Sequence, residues 1–165
     1  MRKYYLFLNN FRDTECANSV RLHSVTIAHP VPEINSALKL GDATQLIKVT
    51  RIFKEDEGVV VLTKSYFSAE LFSGLLQVPH RRFEKVPLFV IVEEDYNLRL
   101  NHTDELLTLR PPRAGDAELL DSSRSGPVLF MKSLTYSTRS DIPHEYRESF
   151  CKLGGKYMYR CIDYS

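Results

Sequence analysis

The segment His144–Cys151, HEYRESFC, reads as a strand, and alternate side chains of a strand share a face. Glu145, Arg147, Ser149 and Cys151 therefore point together, while Tyr146, Glu148 and Phe150 point the other way. A buried core would take Val or Ile at the first set. A row of carboxylate, guanidinium, hydroxyl and thiol is either solvated or lines a pocket. A second anomaly lies in IKVTRIF, where Ile47, Val49, Arg51 and Phe53 share a face and an arginine interrupts an apolar row. With the following turn centred on Glu57, Arg51 falls opposite Thr63 and beside Val61. A guanidinium there requires an acceptor, because a buried charge without one is too costly to persist. Two readings stay open: a structural ion pair or an edge arginine that snorkels outward, and an arginine placed to hold an anionic ligand.

Other reactive side chains carry less. Cys151 and His144 are the residue types of a thiol nucleophile and its base, but no glycine motif for an oxyanion hole accompanies them, and a free cysteine is ordinarily a small core residue. No enzymatic activity is expected. His102, in NHTDE on an extended segment, reads either as a surface imidazole or as a pocket group. The five histidines show no ligand spacing, and Cys16, Cys151 and Cys161 lack CxxC spacing. No metal, cofactor or disulfide framework is expected, and a reducing, cytoplasmic location follows. HRRFEK (80–85) reads as a short, solvated basic loop.

The elements that must position these groups are legible in outline. The chain has 165 residues, 43% hydrophobic, with 22 basic against 21 acidic side chains, so one soluble domain is expected and no basic excess points to nucleic acid or anionic lipid. The N-terminal apolar run is broken by Asn9 and Asn10, too short for a signal peptide or a membrane span. RLHSVTIAH alternates as a strand, and Pro32 opens a short helix that ends before Gly41. QLIKVTRIF and VVVLTKSYF flank the charged turn KEDEG as a hairpin. SAELFSGLLQ begins a helix at a Ser cap, PLFVIVEEDY is a second apolar helix, and RAGDAELLD a third. LRLNHTDELLTLR and SGPVLFMKSLTYS are extended, and the segment from His144 to Tyr164 is expected to close the chain as a hairpin. Strands with short interspersed helices make an α+β domain on a largely antiparallel sheet.

Taken in order, LKLGDATQLIKVTRIFKEDEGVVVLTKSYFSAELFSGLL, VEEDYNLRLNHTDELLTLRPPRAGDAELLDSSRSGPVLFMKSLTYS and HEYRESFCKLGGKYMYRCIDY resemble the UTRA domain, the effector-binding half of HutC-type GntR-family transcriptional regulators. The resemblance covers residues 21–165 and rests on the order and spacing of several short motifs, including SYFSAELFSGLL, AELL ahead of GPVL, and an EY strand leading to KY. It implies a chorismate lyase-like fold, an antiparallel sheet flanked by short helices. It also implies a small-molecule effector, a homodimer, and DNA contact only through a winged helix-turn-helix domain that is not in this chain. Residues 1–20 read as a lead-in segment, and no such unit is legible ahead of Arg21. The chain is expected to be a sensor cut from a longer regulator or, alternatively, a free-standing ligand-binding module or a lyase-like enzyme on the same fold.

The resemblance implies an effector site at Arg51, Phe53, Thr63, Phe89, His102, Glu145 and Cys151. Glu145 matches a residue that holds polar groups of the ligand in sugar-phosphate-sensing members, and Arg51 one that holds the phosphate. The pattern departs nearby. Phe53 stands for a second arginine, Thr63 for an acidic residue, Pro87, Leu88 and Phe89 for the family's Ser-Leu-Tyr helix start, and Cys151 for a tyrosine. KLGGKY makes the closing turn one residue longer than usual, so either Cys151 or Phe150 takes that last position. Pro87 removes a backbone donor, and one arginine among added aromatic carbon suits a smaller charge on a more apolar ligand.

Overall fold

In the computed structural model, residues 6–8, 19–55, 58–120, 126–155 and 157–159 are described. The order of elements is β1 (Leu6–Leu8), β2 (Ser19–Ala28), α1 (Pro32–Ala37), β3 (Leu46–Glu55), β4 (Gly58–Ser68), α2 (Ala69–Phe72) with a 3-10 turn (Ser73–Gln77), α3 (His80–Lys85), α4 (Leu88–Tyr96), β5 (Leu100–Arg110), α5 (Ala114–Leu119), β6 (Val128–Ser137), β7 (Ser140–Cys151) and β8 (Tyr157–Tyr159). Strands β2 to β7 form one antiparallel sheet in the spatial order β2-β3-β4-β7-β6-β5. The fold is α+β, with a six-stranded antiparallel sheet and few, short helices.

Local chemistry explains several boundaries. Pro32 occupies the first turn of α1, where its missing N–H removes no helical bond. Asn97, left-handed at φ 55°, stops α4. Glu55 pairs with Gly58, whose φ of 119° is one that glycine tolerates and other residues rarely adopt. Arg51 pairs with Thr63 as the hairpin reading requires; Glu57 itself lies outside the described residues, as do Cys16 and Cys161. Of the expected lead-in, β1 and the start of β2 are described.

The sheet has two differently built faces. On one, α2, the 3-10 turn, α3 and α4 cover a core of Leu22, Ile47, Val49, Phe67, Phe72, Leu75, Phe83, Leu88, Ile91 and Val92. On the other, α1 packs Ile34 and Leu38 against Leu46, Tyr66 and Tyr146, while Leu120, just past α5, meets Ile52, Leu62, Phe130 and Phe150. Between these two clusters Lys64 is ion-paired with the buried Asp116 of α5, and Arg113 lies 3.7 Å from the buried Glu148. This network fastens α5 to strands β4 and β7.

Two expectations need correction. HRRFEK is not a loop but helix α3. Six residues are too few for a helix to persist on propensity, and tertiary contacts supply the difference. Phe83 is fully buried in the core, Glu84 accepts the Leu22 N–H at 3.2 Å, and Arg82 reaches Asp95 at 2.7 Å and Glu94 at 2.8 Å on α4. Burying a phenylalanine contributes roughly 1.5–3 kcal/mol, enough to hold a single turn and a half. The second correction concerns the closing hairpin. β7 pairs on one side with β4 and on the other with β6, across the tight turn at Thr138 and Arg139, so no edge remains for β8. β8 pairs instead with β1 in a separate two-stranded sheet.

Candidate functional site

The site is best built row by row across the strands. Phe53, Val61, Cys151 and Leu129 form an apolar row across β3, β4, β7 and β6. The next row is Arg51, Thr63, Ser149 and Met131, and the one after it Val49, Ser65, Arg147 and Ser133, continuing to Glu105 on β5. Glu145 and Thr135 follow on β7 and β6, and Ile47 and Phe67 then restore the apolar surface beneath the helices. Directly opposed side chains on one face of a sheet have Cβ atoms roughly 4.5–5.5 Å apart. A polar patch thus sits in the middle of an otherwise apolar sheet face.

Most of its members are buried, and Arg147 and Glu105 are half-buried. Arg51 is 6% exposed, Glu145 3%, Thr63 1% and Ser149 0%. The hydroxyl oxygens of Thr63, Ser133 and Ser149 make no hydrogen bond among the described residues. Each such group costs on the order of 1–3 kcal/mol relative to a satisfied one, and a fold that keeps several together on one surface departs from what stability alone selects. Burial alone would raise the Glu145 carboxyl. The Arg147 guanidinium 3.7 Å away, the Ser65 hydroxyl, His144 and Arg51 outweigh it and hold the group below the usual carboxylate range, so Glu145 is ionised at neutral pH. The Arg51 guanidinium lies 5.5 Å from the centre of the Phe53 ring, a cation–π contact that orients it.

The positions named from sequence divide as follows. Arg51, Thr63 and Glu145 share the patch, and Phe53 and Cys151 lie together at its apolar border. Phe150 faces away, against Phe130 and Ile52, so the longer closing turn leaves Cys151 on the face of Arg51. Phe89 is half-buried in the first turn of α4, directly after Leu88, which joins the core. His102 is not brought to the patch: it is exposed on edge strand β5, stacked on Tyr136 with ring centres 4.4 Å apart. Arg147, Ser149, Ser65 and Ser133 belong to the patch but were not among the named residues. The period of two from Glu145 and Thr63 signals the first three; Ser133 becomes a neighbour only through the pairing of β6 with β7.

The surroundings of Cys151 disfavour the thiolate. The residue is fully buried, and burial pushes its thiol up to about 12 despite the nearby Arg147. His144 lies seven residues away on the same strand, about 23 Å at 3.3 Å per residue, far beyond the reach of a general base. Among the described residues no group of three or more His, Cys, Asp or Glu side chains is placed to hold a metal ion, and no helix is long and apolar enough to cross a membrane.

Comparison with known proteins agrees with this architecture. The ligand-binding domain assigned to a GntR-family transcriptional regulator of Bordetella bronchiseptica superposes with a TM-score of 0.78 at 20% identity, over 88% of this chain and 92% of that one. A GntR-family transcriptional regulator from Enterococcus faecalis gives 0.72 at 18% identity, over 88% and 100%. PhnF from Mycobacterium smegmatis gives 0.76 at 16%, over 90% of this chain and 64% of that one. These likenesses establish the fold. No curated protein matches the sequence. The sequence profile of the UTRA domain does match, over residues 17–153, and the chain therefore belongs to the UTRA domain family.

Proposed function

We propose that the patch is an effector site for a small metabolite bearing one anionic group, with the anion at Arg51 and hydroxyl or amine donors facing the Glu145 carboxylate. An ionised carboxylate only accepts hydrogen bonds, and a guanidinium only donates, so the pair prescribes the polarity of the ligand's two ends. Phe53, Cys151 and Met131 supply apolar wall between and beside them. The observation that carries this reading is the clustering of buried hydroxyl groups without partners between the two charges. Binding would modulate DNA recognition by a helix-turn-helix domain outside this chain, in the cytoplasm, and the domain itself would catalyse nothing. A thermal-shift screen of small carboxylic and phosphorylated metabolites tests it. At about a hundred times its dissociation constant a ligand adds roughly 2.7 kcal/mol, or roughly 5–11 °C for a chain of this size. A hit whose effect survives unchanged in both Arg51→Met and Glu145→Gln would refute the assignment.

The domain also pairs with itself on this reading. Edge strand β5 exposes Leu106, Leu107 and Leu109, an apolar edge of the kind a second copy covers by extending the sheet. Sedimentation should show a homodimer that Leu106→Lys with Leu109→Lys dissociates; a monomer at tens of micromolar before mutation would reject it.

A further inference from the structure

A cavity of about 390 Å³ lies at the end of the sheet, where the end of α1, α2 and the C-terminal part of α4 meet the β6–β7 turn. It is separate from the polar patch, at the opposite end of α4 from Leu88 and Phe89. Leu38, Leu40, Phe72 and Leu98 form its walls, and the exposed side chains of Leu71 and Ile142 stand at its mouth. The Phe72 ring centre is 4.7 Å from that of Tyr96 and 6.3 Å from that of the His144 imidazole, so three aromatic rings gather at the cavity. Among the described residues the lining includes no Asp, Glu, Lys or Arg. Two of the lining residues, Ser68 and His144, each carry a buried polar atom, Oγ and Nδ1, that makes no hydrogen bond among the described residues, and Ser68 is only 4% exposed.

We propose that this cavity is a second binding site, for a small neutral ring compound that presents one hydrogen-bonding group to His144 Nδ1 and Ser68 Oγ. The volume is that of a small-ligand pocket, and the three aromatic rings favour a planar ring. The absence of charged lining rejects ions, since a desolvated ion without a partner is too costly to bury. The two buried polar atoms favour a ligand with a polar head over an inserted aliphatic side chain, which would leave both unsatisfied. Burial holds the His144 imidazole below its ordinary range despite Glu145 beside it, so at neutral pH the ring is uncharged. Consecutive residues of β7, His144 and Glu145, thereby serve different sites.

The test is a methyl-NMR titration of the whole chain with indole, a neutral planar ring carrying one N–H. Saturable shifts of the Leu38, Leu40, Leu71, Leu98 and Ile142 methyls are expected at concentrations up to about 5 mM, the range for a ligand of so few atoms. Ile142→Trp, at an exposed position, should block the mouth and weaken indole at least about tenfold with the fold unchanged, whereas Arg51→Met should leave indole binding intact. His144→Phe, which keeps the ring and removes the acceptor, should weaken indole but not benzene. Absence of saturable shifts, or indole binding that survives Ile142→Trp and is lost in Arg51→Met, would overturn the proposal. Shifts of the same methyls with protein concentration alone would overturn it in favour of a second copy of the chain. Failure here leaves the Arg51 and Glu145 reading standing, because the two sites are read by different variants.

Discussion

Replacing Arg51 separates a ligand-binding arginine from a structural one. Its side chain is buried beside Thr63 and Leu22, and its charge lies near Phe53 and Glu145. Arg51→Ala removes two methylenes of stem, about 0.8 kcal/mol each when buried, and a cation–π contact of roughly 0.5–2 kcal/mol. Relief from desolving a guanidinium offsets part of that loss. Arg51→Met keeps most of the stem and removes the charge, so the unliganded protein should change by no more than about 1 kcal/mol, some 2–4 °C in Tm. Glu145 is not stranded by either change, because Arg147 stays 3.7 Å away. The ligand-induced rise in Tm should vanish in both variants. Differential scanning fluorimetry with and without the strongest ligand from the screen reads both quantities. An apo loss of about 3–5 kcal/mol for Arg51→Met with the ligand response intact is the signature of a broken structural pair, and would refute the reasoning.

Three further outcomes follow from the same physics. Lys64→Met should destabilise the domain by roughly 3–5 kcal/mol in urea denaturation, because it strands the buried carboxylate of Asp116; a change under 1 kcal/mol would mean that α5 is held by Leu120 and its apolar neighbours alone. Cys151 should resist alkylation by iodoacetamide at pH 8 in the native state and react on unfolding, since burial holds its thiol near 12. On the acid side, His144 and Glu145 both have folded-state values below their ordinary ones, so the unfolded chain binds more protons in each window. Stability should therefore be full above about pH 7, decline as pH falls through 6.5 with His144, and decline again below 4.5 with Glu145. His144→Gln should flatten the first step and Glu145→Gln the second; urea midpoints unchanged from wild type across both windows would remove these residues from the account.

What the sequence determined by itself is local. The β-branched runs on either side of KEDEG set a hairpin, and the period of two then sets Arg51 opposite Thr63 and puts Glu145, Arg147, Ser149 and Cys151 on one face. Side-chain alternation is a property of the backbone, so it survives whatever the strand packs against. Pro32, Asn97 and Gly58 likewise mark boundaries through their own dihedral preferences. Tertiary structure decided the rest. Ser133 and Thr135 join the patch because β6 lies beside β7, and Thr63 faces Ser149 across a pairing of residues far apart in the chain; neither follows from local periodicity. HRRFEK is helical because Phe83 has a core to enter, and six residues cannot declare that alone. β8 leaves β7 for β1 because both edges of β7 are already taken. Whether the face carrying Glu145 is solvated or buried was open for the same reason: a strand's sequence fixes which side chains point together, whereas the helices and strands that cover them arrive from elsewhere in the chain.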